Sequence, residues 1–114
     1  MVTIFGIKNC DTVRKARRWL DGHAVEYSFH DVRSDGLSRT QLESWVEILG
    51  WENLLNRRGT TWRKLPDAVR DNINRRAAVK LMLEQPAMIK RPVLDLGNGL
   101  HLGFSEDAYH DLFQ

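Results

Sequence analysis

The chain has 114 residues, of which 42% are hydrophobic and 28% charged, and its formal net charge is +2 at neutral pH. These values fit one globular domain with a real hydrophobic core, and the weak charge excludes the strong field of a nucleic-acid or membrane-surface binder. No apolar run approaches the roughly 18 residues of a membrane span, the N-terminus lacks a signal-peptide pattern, and one cysteine cannot close an internal disulfide, so the cytoplasm is the expected location.

Residues 2–7, VTIFGI, are an apolar, β-branched run of buried-strand type. Val13, Ala16 and Leu20 then recur at near-helical spacing, with Arg14, Lys15, Arg17 and Arg18 on the other side and Asp21-Gly22 as the stop. In VEYSFHD, residues 25–31, Val25, Tyr27 and Phe29 alternate with polar residues, which predicts a half-buried strand. Strand, helix and strand in so short a span make a βαβ unit with parallel strands.

The middle reads as helical. Ser38 and Gln41 form a capping-box pattern ahead of Leu42, Trp45, Val46 and Leu49, with the helix ending near Gly50. Another helical pattern covers roughly 66–72, and a third, with Ile73, Ala77, Leu81 and Met82 inward, stops before Pro86. Between them, NRRGTTWRK (56–64) reads as a basic loop with a glycine turn. In PVLDLGNGLHLGF (92–104), two short strands flank Asn98-Gly99, a type I′ hairpin signal, and Ser105 can cap a final short helix with Glu106 and Asp107 in its first turn. The order is βαβ, a helical block over roughly residues 38–85, then ββα. It predicts a single α/β domain, residues 1–114, with a four-stranded mixed sheet. The thioredoxin-like plan with a helical insert is one of several folds that share this order.

Cys10 falls in the turn after the first strand, at the carboxyl edge where open α/β sheets bind ligands. Unpaired N–H groups at the helix start and Arg14 one turn on both favour the thiolate, the reactive form. The alternative is a buried structural cysteine. A fall in its pKa from ~8.5 to ~6.5 would raise the thiolate fraction roughly tenfold or more, and a Brønsted slope of ~0.4–0.5 would return most of that gain in attack. Departure of Cys10 from a mixed disulfide would gain clearly, which suits a chain whose cysteine must be freed by an outside thiol.

Spacing removes several other chemistries. Val13 stands where a C-x-x-C couple needs cysteine, and Ala16 stands where a C-x5-R phosphatase loop needs arginine. His23, His30, His101 and His110 have no metal-ligand spacing with Cys10, so no metal is expected. Lys90 and Arg91 precede Pro92 at the predicted third strand, either as solvated bases or as cations near Cys10.

Three separated segments, FGIKNCDTVRKA, LLNRRGTTWRKL and IKRPVLDL, resemble the arsenate-reductase (ArsC/Spx-like) family of thioredoxin-fold proteins, most of all its YffB subgroup. The resemblance covers essentially the whole chain. It implies that Cys10 is the redox nucleophile, that Pro92 is cis, and that Arg91 lies at the pocket beside the cysteine. It further implies a glutathione-dependent thiol reductase, with glutathione as co-substrate, an oxidised thiol or disulfide as substrate, and no bound cofactor. On this reading Arg14 stabilises the thiolate and Arg91 pairs with a glutathione carboxylate. Lys8, Asn9 and Thr12 are expected at the site by nearness to the Cys10 turn. Arg57 and Arg58 are either a rim attracting anions or part of a solvated loop.

Two departures bear on activity. The family's arsenate reductases use three arginines around the oxyanion, and here two of those positions fall at Asn56 and at or near Gly103. Arsenate reduction is therefore the rival reading, and an Spx-like binding or regulatory module is the other, although Spx-type proteins typically carry a C-x-x-C switch.

Overall fold

In the computed structural model, which describes residues 1–114, the apolar run at the start of the chain becomes strand β1, Val2–Gly6. Helix α1, Asp11–Gly22, follows, and strand β2, Tyr27–Asp31, then runs parallel to β1, with Val2 opposite Tyr27 and Gly6 opposite Asp31. Helix α1 buries Val13, Ala16 and Leu20, as the spacing predicts. A Cβ at Gly6 would lie 2.7 Å from Cγ2 of Val13, so only glycine lets the first turn of α1 close onto the end of β1. The helix stops later than Asp21-Gly22 suggests. Its left-handed residue is Ala24, at φ 55, with the Val25 N–H donating to Leu20 O and the Ala24 N–H to Asp21 O. That is the Schellman arrangement with alanine in the position that usually holds glycine.

Residues 36–90 form a unit of their own. Helix α2, Arg39–Leu49, begins at Ser38, whose Oγ accepts the Gln41 N–H, and it buries Leu42, Trp45 and Val46. Gly50, at φ 87, turns the chain into the short helix α3, Trp51–Leu54. The stretch read as a basic loop contains a helical turn, α4, Thr60–Arg63. Helix α5, Asp67–Asp71, and helix α6, Arg75–Glu84, follow, the latter capped by Asn74 through the Ala77 N–H. The buried face of α6 is Ala78, Val79 and Met82. Ala77 and Leu81, predicted inward, are only partly buried, and Ile73 lies ahead of the cap at Asn74, outside the helix. A 3₁₀ turn, Pro86–Met88, leads to Ile89, which bridges Leu55 in antiparallel fashion.

The other unit, residues 1–35 with 91–114, is completed by strands β3, Val93–Asp95, and β4, Leu100–Leu102, and by helix α7, Glu106–Leu112. The sheet order is β2-β1-β3-β4, mixed, with the β1–β3 and β3–β4 pairs antiparallel. The hairpin turn is displaced by one residue from the Asn98-Gly99 signal. The Leu96 N–H donates to Gly99 O, and Gly97, at φ 88, takes the first loop position, the one a II′ turn reserves for glycine. Ser105 caps α7 by accepting the Ala108 N–H. The core of this unit holds Ile4, Ala16, Leu20, Leu94 and Tyr109, all fully buried. The Tyr109 ring meets Trp19 and Phe104 edge-on at 5.6 and 4.7 Å. No helix is long and apolar enough to cross a membrane.

Candidate active site

After the buried pair Gly6-Ile7 the chain surfaces at Lys8 and Asn9, and Cys10 then becomes the N-cap of α1 with φ −127 and ψ 121. Its carbonyl accepts the Arg14 N–H at 2.9 Å, the first bond of the helix. An N-cap side chain normally offers an oxygen to the N–H groups two and three residues on. A thiol is a poor acceptor there and a thiolate a good one, so the start of the helix itself favours loss of the proton. Cys10 is half-buried. Burial pushes its thiol up, but the Val13 N–H, the Arg91 guanidinium by hydrogen bond and by charge, and the Thr12 N–H together outweigh burial. The thiol therefore lies below its ordinary value.

Topology explains how a residue 81 positions away in sequence reaches the cysteine. Strands β1 and β3 are antiparallel neighbours with Phe5 opposite Val93, so the start of β3 lies beside the end of β1. The Arg91–Pro92 peptide bond is cis, and buried Pro92 accepts the Gly103 N–H at 2.8 Å. Arg91 is half-buried with an inaccessible Nε, whereas Lys90 is exposed. The pair of bases thus splits. Lys90 is the solvated one, and Arg91 acts on the thiol.

Arg14, expected to stabilise the thiolate, has a carboxylate partner of its own. It forms an ion pair with Asp11, three residues back, and both side chains are largely in solvent. Arg91 is a cation that favours the Cys10 thiolate, whereas Arg14 is exposed and its charge is shared with Asp11. Arg14→Ala is expected to move the alkylation midpoint of Cys10 less than Arg91→Ala does. A rise comparable to that in Arg91→Ala would return the role to Arg14.

The remaining candidates sort by position. Lys8, Asn9 and Thr12 are exposed around the turn, and Thr12 acts on Cys10 through its backbone N–H. In the 36–90 unit, the Arg57 guanidinium lies 5.6 Å from the Trp51 ring and 5.7 Å from the Trp62 ring. With Arg58, Lys90, Glu52 and Leu55 it lines a cavity of about 290 Å³. Arg57 is thus exposed, with its guanidinium beside two aromatic rings. No group of three or more His, Cys, Asp or Glu side chains could hold a metal ion.

The sequence reading missed Asp31. The residue is 4% exposed, and its carboxylate accepts the N–H groups of Lys8, Arg33 and Ser34 at 3.1, 2.8 and 3.0 Å. Burial pushes this carboxyl up, but those three N–H groups and the Lys8 charge hold it below its ordinary value. The signal available was an aspartate closing a strand that otherwise alternates toward a core.

The model of the ArsC family matches residues 5–112 of the chain. An uncharacterised Haemophilus influenzae protein is 41% identical over 113 residues, 99% of each chain. The global transcriptional regulator Spx of Streptococcus pyogenes is 30% identical over 109 residues, covering 94% of this chain and 81% of its own length. A solved YffB protein is 47% identical with a TM-score of 0.95 over the whole of both chains. The mixed four-stranded sheet with its helices is accordingly the thioredoxin-like fold of these relatives. A chain matched over this span by the family model, by a full-length relative and by a full-length structure belongs to the ArsC family.

Proposed function

We propose that this protein is a thiol–disulfide oxidoreductase in which Cys10 is the nucleophile and glutathione the co-substrate. One observation carries the reading: a half-buried cysteine at a helix N-cap has its thiol held below the ordinary value by backbone N–H groups and Arg91 against the effect of burial. Membership of a thiol-based redox family supports it.

The Cys10 thiolate attacks one sulfur of an oxidised substrate R–S–S–R′, forming Cys10–S–S–R and releasing R′S⁻, which takes up a proton. The glutathione thiolate then attacks the sulfur of R, forming GS–S–R and releasing the Cys10 thiolate. A second glutathione thiolate attacks the glutathione sulfur of GS–S–R, forming GSSG and releasing RS⁻, which takes up a proton. Two electrons thus reach the substrate disulfide, and two glutathiones end as one oxidised glutathione. The stabilised thiolate of Cys10 makes it a good leaving group, so the second step gains most. Arg91 has five N–H donors, enough to hold the sulfur and also take a glutathione carboxylate. The exposed turn at Lys8, Asn9 and Thr12 offers further polar contacts for the tripeptide. A reducing compartment such as the cytoplasm suits a cycle fed by glutathione.

Incubation of the reduced protein with oxidised glutathione should add one glutathione by intact mass, and excess reduced glutathione should remove it. If folded, reduced protein forms no adduct, glutathione is not the co-substrate.

Little or no arsenate turnover is expected, even with glutathione and glutaredoxin supplied. An oxyanion needs several cations around it, and the positions where the family resemblance expects two of them hold Asn56 and Gly103. The Asn56 Oδ1 accepts the Arg58 N–H, and Gly103 has no side chain to offer. Robust arsenate turnover that disappears in Arg91→Ala would place the protein with the oxyanion reductases instead.

A further inference from the structure

We propose that Asp31 is a positioning residue for Cys10: its buried carboxylate holds the turn that sets the cysteine at the N-cap of α1. The inference rests on the reading of Cys10 as the nucleophile. Strand β1 ends at Gly6, so no ladder partner is left for the Lys8 N–H, two residues ahead of Cys10. Asp31 Oδ2 accepts that N–H at 3.1 Å, while Oδ1 accepts those of Arg33 and Ser34 at 2.8 and 3.0 Å. Asp31 is itself fixed from behind. Its N–H donates to Asp35 Oδ2 at 2.9 Å, its carbonyl accepts the Asp35 N–H at 2.8 Å, and the Val32 N–H donates to Gly6 O at 2.9 Å.

A carboxylate on a residue with so little accessible surface is costly unless its oxygens are satisfied, and here backbone donors from two separate segments satisfy it. One oxygen serves its own turn and the other serves the turn before Cys10. The carboxylate therefore ties the end of β2 to the segment whose conformation decides where the sulfur sits relative to the Thr12 and Val13 N–H groups and to Arg91.

The division of labour between the oxygens makes Asp31→Asn a selective probe. With its oxygen toward Arg33 and Ser34, the amide keeps two bonds and turns an NH₂ toward the Lys8 N–H, donor against donor. In the folded variant at a temperature well below its unfolding, the alkylation midpoint of Cys10 is expected to rise by about half a unit or more. The alkylation rate at neutral pH should then fall roughly threefold. Loss of a nearby negative charge alone would move the midpoint down, and a purely structural residue would lower the melting temperature without moving it. A rise separates positioning from both.

Hydrogen exchange of the Lys8 amide in the unaltered protein is the companion measurement, and it stands even if the variant does not fold. Strong protection is expected. An unprotected Lys8 amide, or a folded Asp31→Asn with the parent's midpoint or a lower one, overturns the positioning role. If the parent itself titrates at or above the free-thiol value of ~8.5, it is the nucleophile reading that has failed, and the inference falls with it.

Discussion

Cys10→Ser is expected to abolish both the glutathione adduct and glutathione-dependent turnover, down to background, without loss of stability. The two halves of that expectation have one cause. Cys10 is the chain's only thiol, so no neighbouring cysteine can take over the mixed disulfide. Serine at the same place is a preferred N-cap, and its oxygen can accept a backbone N–H of the first turn, where the cysteine side chain makes no cap hydrogen bond. Thermal unfolding of the variant should therefore match or exceed that of the parent. Mass spectrometry and a disulfide-reduction assay on both proteins check the result, and residual adduct or turnover in Cys10→Ser would remove the cysteine from the chemistry.

Arg91→Ala should lower glutathione-dependent turnover by roughly ten- to a hundredfold, the equivalent of one charge-assisted hydrogen bond worth ~1.5–3 kcal/mol. Two losses combine in it. The thiolate loses its cationic partner, so the alkylation midpoint of Cys10 should rise, and the proposed contact with a glutathione carboxylate disappears. Seen as a solvated base before a strand, Arg91 should be removable at little cost to stability. Its half-buried position and inaccessible Nε point instead to a modest fall in melting temperature from lost packing. Arg91→Lys should recover part of the activity, because lysine keeps the charge but not the planar fork. Rates and unfolding curves for the three proteins, each assayed folded, separate these effects. Parent-like turnover in Arg91→Ala would put the glutathione contact elsewhere.

Local signals in the sequence translated directly into structure. The periodicity of Val13, Ala16 and Leu20, the capping serines 38 and 105, and the turn position of Cys10 each depend on residues only a few places apart. Errors arose where two short-range choices competed. Gly97 and Asn98-Gly99 can each turn the hairpin, and the strand register settled on Gly97. Arg14 stands three residues from Asp11 and pairs with its carboxylate. Non-local facts were not legible at all from spacing. The approach of Arg91 to Cys10 follows from β3 pairing antiparallel with β1, and the Asp31–Lys8 bond follows from β2 pairing parallel on the other side. The family resemblance supplied the first of these before the sheet did. It said nothing of Asp31.

The pH dependence of Cys10 alkylation, followed by intact mass on the reduced protein, tests the nucleophile most directly. A stabilised thiolate must react with a midpoint below the free-thiol value of ~8.5, because the folded environment favours the deprotonated form. Reaction should therefore already be fast at neutral pH and should fall away as the pH drops through the lowered midpoint. A midpoint at or above ~8.5 in the folded protein would mean that burial dominates over the helix N-terminus and Arg91, and Cys10 would then be a packed structural residue.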